Sequence, residues 1–370
     1  MKKISAIMLV CVLILSILAV PAGAVVDYRY GMHNTTINVT FTNDYNSTWK
    51  SEIMSAASTW QSASSSYSRK LQFVNKTGYN DTDGISFNKQ SFSNNTIASA
   101  TRYVGTRNGR EYILYGRIQF NTNHNFTSNI SQATSPNSTS WGVYDIQSIA
   151  LHELGHPLGL GDNDNSSTVM YQHGQARRTL STTDTNDLKS IYNVIIANSF
   201  SPQNAIDDYD DIEISTSITY VSLSEDLMVN ASDLVVRGKV KEVLPGQWNT
   251  QDGESPSIKE MSKYDIFHDV IIEVDDVYKG NFSGKEIRVR RIGGIVDNVK
   301  QTLDTRDYIV GDEVILYLIE GSDVSSSNDK SVCYSELNND GQLFIVNDTL
   351  AITSTGKTVD IEEQVMSKIS

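Results

Sequence analysis

The sequence is poor in cysteine, the residue that cross-links many small exported proteins. Its 370 residues contain two cysteines, Cys11 and Cys333. Because Cys11 lies in an N-terminal segment that we expect to be removed, the remaining chain cannot form an intrachain disulfide. Its stability must therefore come from buried apolar cores, and 370 residues give room for two domains of ordinary size.

Positive charge is also scarce. Lysine and arginine total 30 against 44 aspartate and glutamate residues, for a formal net charge of −14. Nucleic acid is therefore excluded as a partner, because binding its phosphates requires a basic surface. The composition indicates an acidic, soluble surface.

Long apolar runs are rare, and the clearest stands at the N-terminus. It extends from Ile4 to Val20, follows two lysines, and precedes the small residues Ala22-Gly23-Ala24. This pattern is typical of a signal peptide with an A-x-A cleavage site, which predicts removal of residues 1–24 and secretion. A retained membrane anchor is the alternative, and it leaves association with the cell envelope open.

The segment HELGHPLGLGD, residues 152–162, carries the chemistry of the chain. On an α-helix His152 and His156 lie on one face, so both imidazoles can bind one zinc ion beside Glu153. Gly159 can turn the chain so that Asp162 becomes a third ligand. A solvated helix with two surface histidines is the alternative, but it would not need the Gly-turn-Asp sequence.

The spacing H-E-x-x-H-x-x-G-x-x-D resembles that of the metzincin metallopeptidases. Their usual third ligand is histidine, and Asp162 in its place resembles the snapalysin-like members. The segment T-V-M-Y, with Met170 eight residues after Asp162, resembles the metzincin Met-turn, whose methionine supports the ligands structurally. The resemblance also implies that Tyr171 lines the substrate pocket.

The pattern L-S-x-x-D-x-x-x-L-x-x-I-Y, which begins at Leu180, resembles the closing helix of matrixin-type catalytic domains. The resemblance therefore covers residues 28–198 and implies an α+β fold with a twisted, mostly parallel sheet, an active-site helix and a Met-turn. Alternation and helical spacing predict a strand, a helix, and two strands at the start. Asp145 is the predicted N-cap of the active-site helix, and Ser181 that of the closing helix.

The run EYILYGRIQF, residues 111–120, predicts a further strand. In metzincins the strand before the active-site helix lies at the sheet edge, and the resemblance places 116–121 there. An edge strand can bind an extended peptide through main-chain hydrogen bonds. We therefore expect Gly116, Ile118 and Phe120, with Tyr171, to contact substrate; an edge strand without a partner is the alternative.

The composition changes after the catalytic domain, which we place at residues 25–200. The run Asp207-Asp208-Tyr209-Asp210-Asp211 predicts an acidic linker over 201–218. It could hold Ca²⁺, but acidic loops are more often only solvated. Residues 219–370 contain several alternating, β-branched segments, which predict a small all-β sandwich or barrel as an accessory domain.

The resemblance to metzincins implies a zinc-dependent endopeptidase with a protein or peptide substrate. Zinc would lower the pKa of a bound water, and Glu153 would take its proton as general base. An aspartate ligand makes the ion less acidifying than a third histidine, so we predict a higher pH optimum than in a three-histidine site.

Two other functions remain open. Asn-x-Ser/Thr sequons are dense from Asn34 to Asn165, which fits either a cell-surface glycoprotein or an Asn-, Ser- and Thr-rich composition. A binding or adhesion protein on an idle metzincin scaffold would not need Glu153. A zinc hydrolase of non-peptide amides is the second alternative. No pro-segment cysteine is available for latency, so the C-terminal domain is one candidate for covering the cleft.

Overall fold

A computed structural model gives the fold of this α+β protein. It describes residues 28, 30–92, 95–107, 110–135, 142–194, 211–220, 224–257, 260–303, 305–321, 333–337, 341–347, 349–353, 358–361 and 365–367. The predicted signal peptide and residues 201–210 of the predicted linker lie outside these ranges. Within them, no helix combines the length and apolarity needed to cross a membrane.

Four α-helices and two short 3₁₀ helices are present in the described ranges. The α-helices α1 to α4 are Ser47–Ala63, Ile146–Gly155, Thr182–Tyr192 and Glu225–Ala231, and the 3₁₀ helices are Ile130–Gln132 and Met261–Lys263. The apolar face predicted for α1 is confirmed, because Ile53, Ala56, Ala57 and Trp60 are buried. Trp60 Nε1 donates to Leu151 O of α2 at 2.9 Å, which ties the two helices together.

The first half forms most of one eight-stranded sheet. Strands β1 to β7 are Thr36–Phe41, Gln72–Asn75, Gly84–Gln90, Thr96–Arg107, Arg110–Asn121, Asn125–Thr127 and Val143–Asp145. The order β2-β1-β3-β5 is parallel throughout, and β4 joins β5 in antiparallel orientation. The predicted opening of strand, helix, strand and strand is confirmed. Strands β6 and β7 pair separately just before α2.

The edge position predicted for residues 116–121 is wrong. These residues lie in β5, which pairs with β3 on one side and β4 on the other. Gly116, Ile118 and Phe120 are all buried, so their main chain has no free edge for a peptide. The strand that lies beyond β5 in the sheet is β4.

The predicted linker also differs from the structure. Its described part is the start of strand β8, Asp211–Tyr220, which pairs antiparallel with β4. Two later strands complete this sheet: β14, Val299–Leu303, pairs in parallel with β8, and β13, Gly294–Val296, pairs with β14. Residues 211–218 are therefore part of a strand of the first sheet and do not form a linker.

The remaining strands form the predicted β domain. They are β9 Leu234–Val243, β10 Gln247–Trp248, β11 Ile266–Lys279, β12 Glu286–Ile292, β15 Glu313–Glu320, β16 Tyr334–Glu336, β17 Gln342–Ile345, β18 Leu350–Thr353 and β19 Thr358–Asp360. The pairings β9–β11–β12–β16–β15–β9 close a ring, so this domain is a barrel rather than a sandwich. Strands β17 to β19 extend it from β15.

Candidate metal centre

Helix α2 presents His152 from its C-terminal half, and His156 is its C-cap residue. Its N-cap is Asp145, as predicted, and the Asp145 side chain accepts from Ser148 N at 2.9 Å. Three turns of regular helix then bring His152 and His156 onto one face, with their Nε2 atoms 3.1 Å apart. Both imidazoles and the intervening Glu153 are buried.

The turn after α2 brings in the third side chain. Gly159 has φ +101°, a conformation that an L-residue rarely adopts, and a Cβ there would lie 2.8 Å from Tyr28 O. The chain then reverses, and Asp162 Oδ1 lies 3.4 Å from His152 Nε2 and 3.7 Å from His156 Nε2. The structure thus brings together the three residues that the motif predicted as ligands.

Backbone carbonyls orient the two imidazoles. His152 Nδ1 lies 2.9 Å from Val169 O, and His156 Nδ1 lies 3.0 Å from Leu160 O. When a metal is bound, a proton on each Nδ1 would leave each Nε2 unprotonated and directed towards Asp162, as a metal ligand must be. Second-sphere contacts of this kind are typical of metal-binding histidines.

Met170 lies directly beneath the helix. A Cβ at Gly155 would be only 2.2 Å from Met170 Sδ, so the two residues are in close contact. The loop that carries Met170 is held by Asp184, whose carboxylate accepts from Val169 N at about 3 Å and also completes the capping box of α3 with Ser181. The Ser181 cap is confirmed, and Asp184 additionally links the closing helix to the Met170 loop.

Burial and mutual charge govern ionisation at this centre in the absence of metal. Burial lowers the pKa of His152, but the hydrogen bond and charge of Asp162 outweigh it and raise that pKa to about 9. Burial, reinforced by the charge of His152, lowers the pKa of His156 to about 3. Burial opposes ionisation of Asp162, yet both histidines hold its pKa below the usual value. The trio therefore stores about one proton that a cation would displace.

Glu153 is buried without a well-formed hydrogen bond. Burial raises its pKa to about 7, and the charge of His152 and the nearby Thr219 hydroxyl partly offset this shift. Neither Glu153 oxygen, nor Thr219 Oγ1, has a hydrogen-bond partner of good geometry among the described residues. A carboxylate in this state is suited to exchange a proton near neutral pH.

The donor set fits a zinc ion. One nitrogen from each histidine and one Asp162 oxygen lie within 4.8 Å of one another, the only such cluster of metal-binding side chains in the described ranges. Two imidazoles and one carboxylate are typical of catalytic zinc sites, which keep a further position open. Asp162 Oδ1 is buried without a hydrogen bond of good geometry, a state that a cation would relieve.

Arg102, His173 and Thr219 also lie around the metal centre, and none of the three was predicted from the sequence. Arg102 of β4 is fully buried and donates to Leu160 O at 3.4 Å, next to the ligand turn. A small opening beside His152 is lined by Tyr171, His173 and Thr219, among others. The sequence signal for Arg102 was its position inside the strand Thr96–Arg107, where its neighbours are mostly apolar or small residues.

The predicted substrate residues fall into two groups. Tyr171 lies at the opening beside His152. A Cβ at Gly116 would meet Pro157 Cγ at 2.8 Å, so Gly116 instead accommodates the end of the active-site helix. Ile118 and Phe120 belong to the apolar core, where Phe120 packs edge-on against Trp49.

Comparison with known protein families finds a match in this part of the chain. The Matrixin family model matches residues 29–193. A search of curated proteins finds no match. The matched range begins next to the first described residue and ends just after α3, so it includes the whole candidate metal centre.

Proposed function

Given that residues 29–193 form a matrixin-like metzincin catalytic domain, we propose that this protein is a zinc-dependent endopeptidase that hydrolyses peptide bonds in proteins. The observation that carries the proposal is the adjacency of the His152, His156 and Asp162 cluster to the buried Glu153 carboxylate. A metal-binding scaffold alone has no need of that carboxylate, because an uncompensated buried acid costs stability.

His152, His156 and Asp162 would hold the ion, with Asp162 in the place that the common metzincin pattern gives to histidine. Zinc supplies a Lewis acid there, which lowers the pKa of bound water and stabilises a developing oxyanion. Val169 O and Leu160 O keep the two imidazoles in the orientation and tautomer that binding requires.

Glu153 is the proposed general base. It would accept the proton of the attacking water and then deliver it to the departing amine. Its pKa of about 7, raised by burial, lets it perform both transfers near neutral pH. Neither Glu153 oxygen has a hydrogen-bond partner of good geometry among the described residues, so both are available for this proton exchange.

We also propose that the protein acts outside the cytoplasm. The support is the sequence pattern of residues 1–24, a basic start, an apolar run and an A-x-A site. Amino-terminal sequencing of the protein recovered from the culture medium or envelope of its source cells tests this: export with cleavage predicts a start after Ala24. An intact Met1 on the recovered protein would contradict it.

Hydrolysis of casein by the zinc-loaded chain tests the enzymatic proposal. We expect Glu153→Ala and a zinc chelator each to abolish hydrolysis, and added zinc to reverse the chelator. Glu254→Ala is the matched control, because Glu254 is an exposed carboxylate of the β domain and its loss should leave the rate unchanged.

Zinc content, measured on the same samples, separates the alternatives. Glu153→Ala should bind zinc as the wild type does while losing activity. If neither the wild type nor a variant with a loosened strand β8 hydrolyses casein or a peptide library, although both bind zinc, the idle binding protein is favoured instead.

A further inference from the structure

The outer edge of β4 is occupied by the chain itself. Strand β8 pairs with it antiparallel over its whole length, from Thr96↔Tyr220 at one end to Thr106↔Asp211 at the other. The ladder has a single irregularity, between Thr96 and Ala98. The main-chain groups on this side of β4 are therefore already used in hydrogen bonds.

The C-terminal end of β8 reaches the candidate metal centre. Thr219 lies beside Glu153 and lines the opening next to His152. Tyr220 forms a bridge with His173, their rings lie 4.8 Å apart, and Gly174 N donates to Tyr220 O at 3.4 Å. This end of β8 thus lies between β4 and the segment that follows the Met170 loop, across the approach to Glu153.

Buried contacts hold β8 in this place. Arg102 Nη2 donates to Ser215 Oγ at 2.8 Å and to Ser217 Oγ at 3.0 Å, and both serines are buried. Strand β14 covers the first half of the opposite edge of β8, from Val299↔Ile212 to Leu303↔Thr216. The C-terminal part of the chain therefore helps to anchor the strand.

We propose that β8 is an intramolecular inhibitor strand, which occupies the binding place of an extended substrate peptide and must leave β4 before hydrolysis can occur. This inference rests on the proposed peptidase function. An extended peptide binds a sheet edge through the same alternating N–H and C=O groups that β8 now uses, so the two exclude each other. Thr219 at the end of β8 lies beside the proposed base and lines the opening next to His152, where a substrate peptide would also have to pass.

A disulfide across the ladder tests the exclusion in the full chain. Thr106 and Asp211 are directly opposed at the end of the ladder far from the metal centre, and opposed residues in antiparallel strands lie about 4.5–5.5 Å apart, within the span of a disulfide. Thr106 is also opposed to Glu111 on the other side, in β5. T106C/D211C therefore locks β8, while T106C/E111C is a matched control with the same first cysteine and no bond to β8.

In the zinc-loaded proteins we expect oxidised T106C/D211C to hydrolyse casein at least tenfold more slowly than its form reduced with a non-chelating phosphine. The control disulfide should leave the rate unchanged. Conversely, S215A/S217A removes both hydroxyl partners of Arg102 Nη2 and should raise the rate at least fivefold. Hydrogen exchange at the amides of residues 211–220 provides a readout without catalysis and should slow in the locked chain and quicken in the serine variant.

The outcomes separate the two proposals. If the locked chain hydrolyses casein as fast as its reduced form, substrate reaches the site with β8 in place, and the inhibitor strand is refuted while the peptidase stands. The inhibitor strand is also refuted if hydrogen exchange at residues 211–220 quickens in S215A/S217A but this variant hydrolyses casein no faster than an active wild type. If no chain hydrolyses any peptide although exchange shows β8 released and zinc is bound, the proposed function fails and the inference fails with it.

Discussion

Replacing Gly155 by alanine should set the end of the active-site helix against Met170. Gly155 is the last residue of α2, and a Cβ there would lie 2.2 Å from Met170 Sδ, 2.9 Å from Met170 Cε and 3.4 Å from the Trp60 ring. Contacts below about 3 Å do not persist, so either the methionine or the helix must move. Since Met170 is itself buried to 97 %, with 3 % exposed, its displacement disturbs the packing beneath the ligands.

Two effects of opposite sign determine the size of the change. Alanine favours the helix over glycine by up to about 1 kcal/mol. Overpacking a buried site costs about 1–3 kcal/mol, and a flexible but buried methionine corresponds to the middle of that range, about 2 kcal/mol. We therefore expect Gly155→Ala to destabilise α2 by about 1 kcal/mol in the wild type and to stabilise it by about 1 kcal/mol in a Met170→Ala background, a coupling energy of about 2 kcal/mol.

Native-state hydrogen exchange at the α2 amides is the appropriate assay, because a chain with two cores does not unfold in a single step. The four proteins of the cycle are measured without metal, so that zinc affinity does not enter. Equal effects of Gly155→Ala in both backgrounds would refute the contact between Gly155 and Met170. A second measurement, zinc affinity, should fall for Gly155→Ala and recover in the double variant.

Three further predictions follow from charge. At pH 7 zinc binding should release about one proton, because Asp162 raises the pKa of His152 to about 9 and a zinc ligand must be unprotonated. Calorimetry in two buffers of different ionisation enthalpy measures the number of protons released. Zero release would exclude His152 as a ligand. Asp162→His should lower the pH optimum of casein hydrolysis, and an unmoved optimum would contradict the proposed effect of the carboxylate ligand. Burial and the charge of Asp184 raise the pKa of Asp187 from 3.8 to about 6, so the folded state holds this proton more tightly and stability is lost as pH rises through that range. Asp187→Asn should therefore be nearly neutral at pH 4 and stabilising by about 1–3 kcal/mol at pH 8, as measured by hydrogen exchange at the α3 amides at both pH values.

The clustering of His152, His156 and Asp162 could be predicted from the sequence because it depends on local geometry. Helical periodicity aligns the two histidines, and the turn at Gly159 needs only a few residues to return the chain. The Asp145 and Ser181 caps are local in the same sense, since each side chain reaches a backbone N–H three residues away.

The neighbours of a strand are not a local property, and the edge position predicted for residues 116–121 was wrong for this reason. Alternation identifies β5 but does not say what lies on either side of it. One signal was available: residues 113–121 are buried without interruption, as their mostly apolar sequence suggested, and such runs are typical of interior strands rather than edges. The acidic run Asp207–Asp211 predicted a linker, so strand β8, which begins at Asp211, was not predicted from the sequence.

Neighbouring strands of the eight-stranded sheet are synthesised at widely separated times. Strand β4 is translated well before β8, and β8 well before β14, so the outer neighbour of β4, and then that of β8, is synthesised only later. Pairing between segments so distant in the chain is slow, and an open edge can recruit a strand from another molecule. A nascent chain that stalls between β8 and β14 would expose the outer side of β8 in this way. The first sheet is therefore complete only after residues 294–303 have been translated, when most of the chain has already been made.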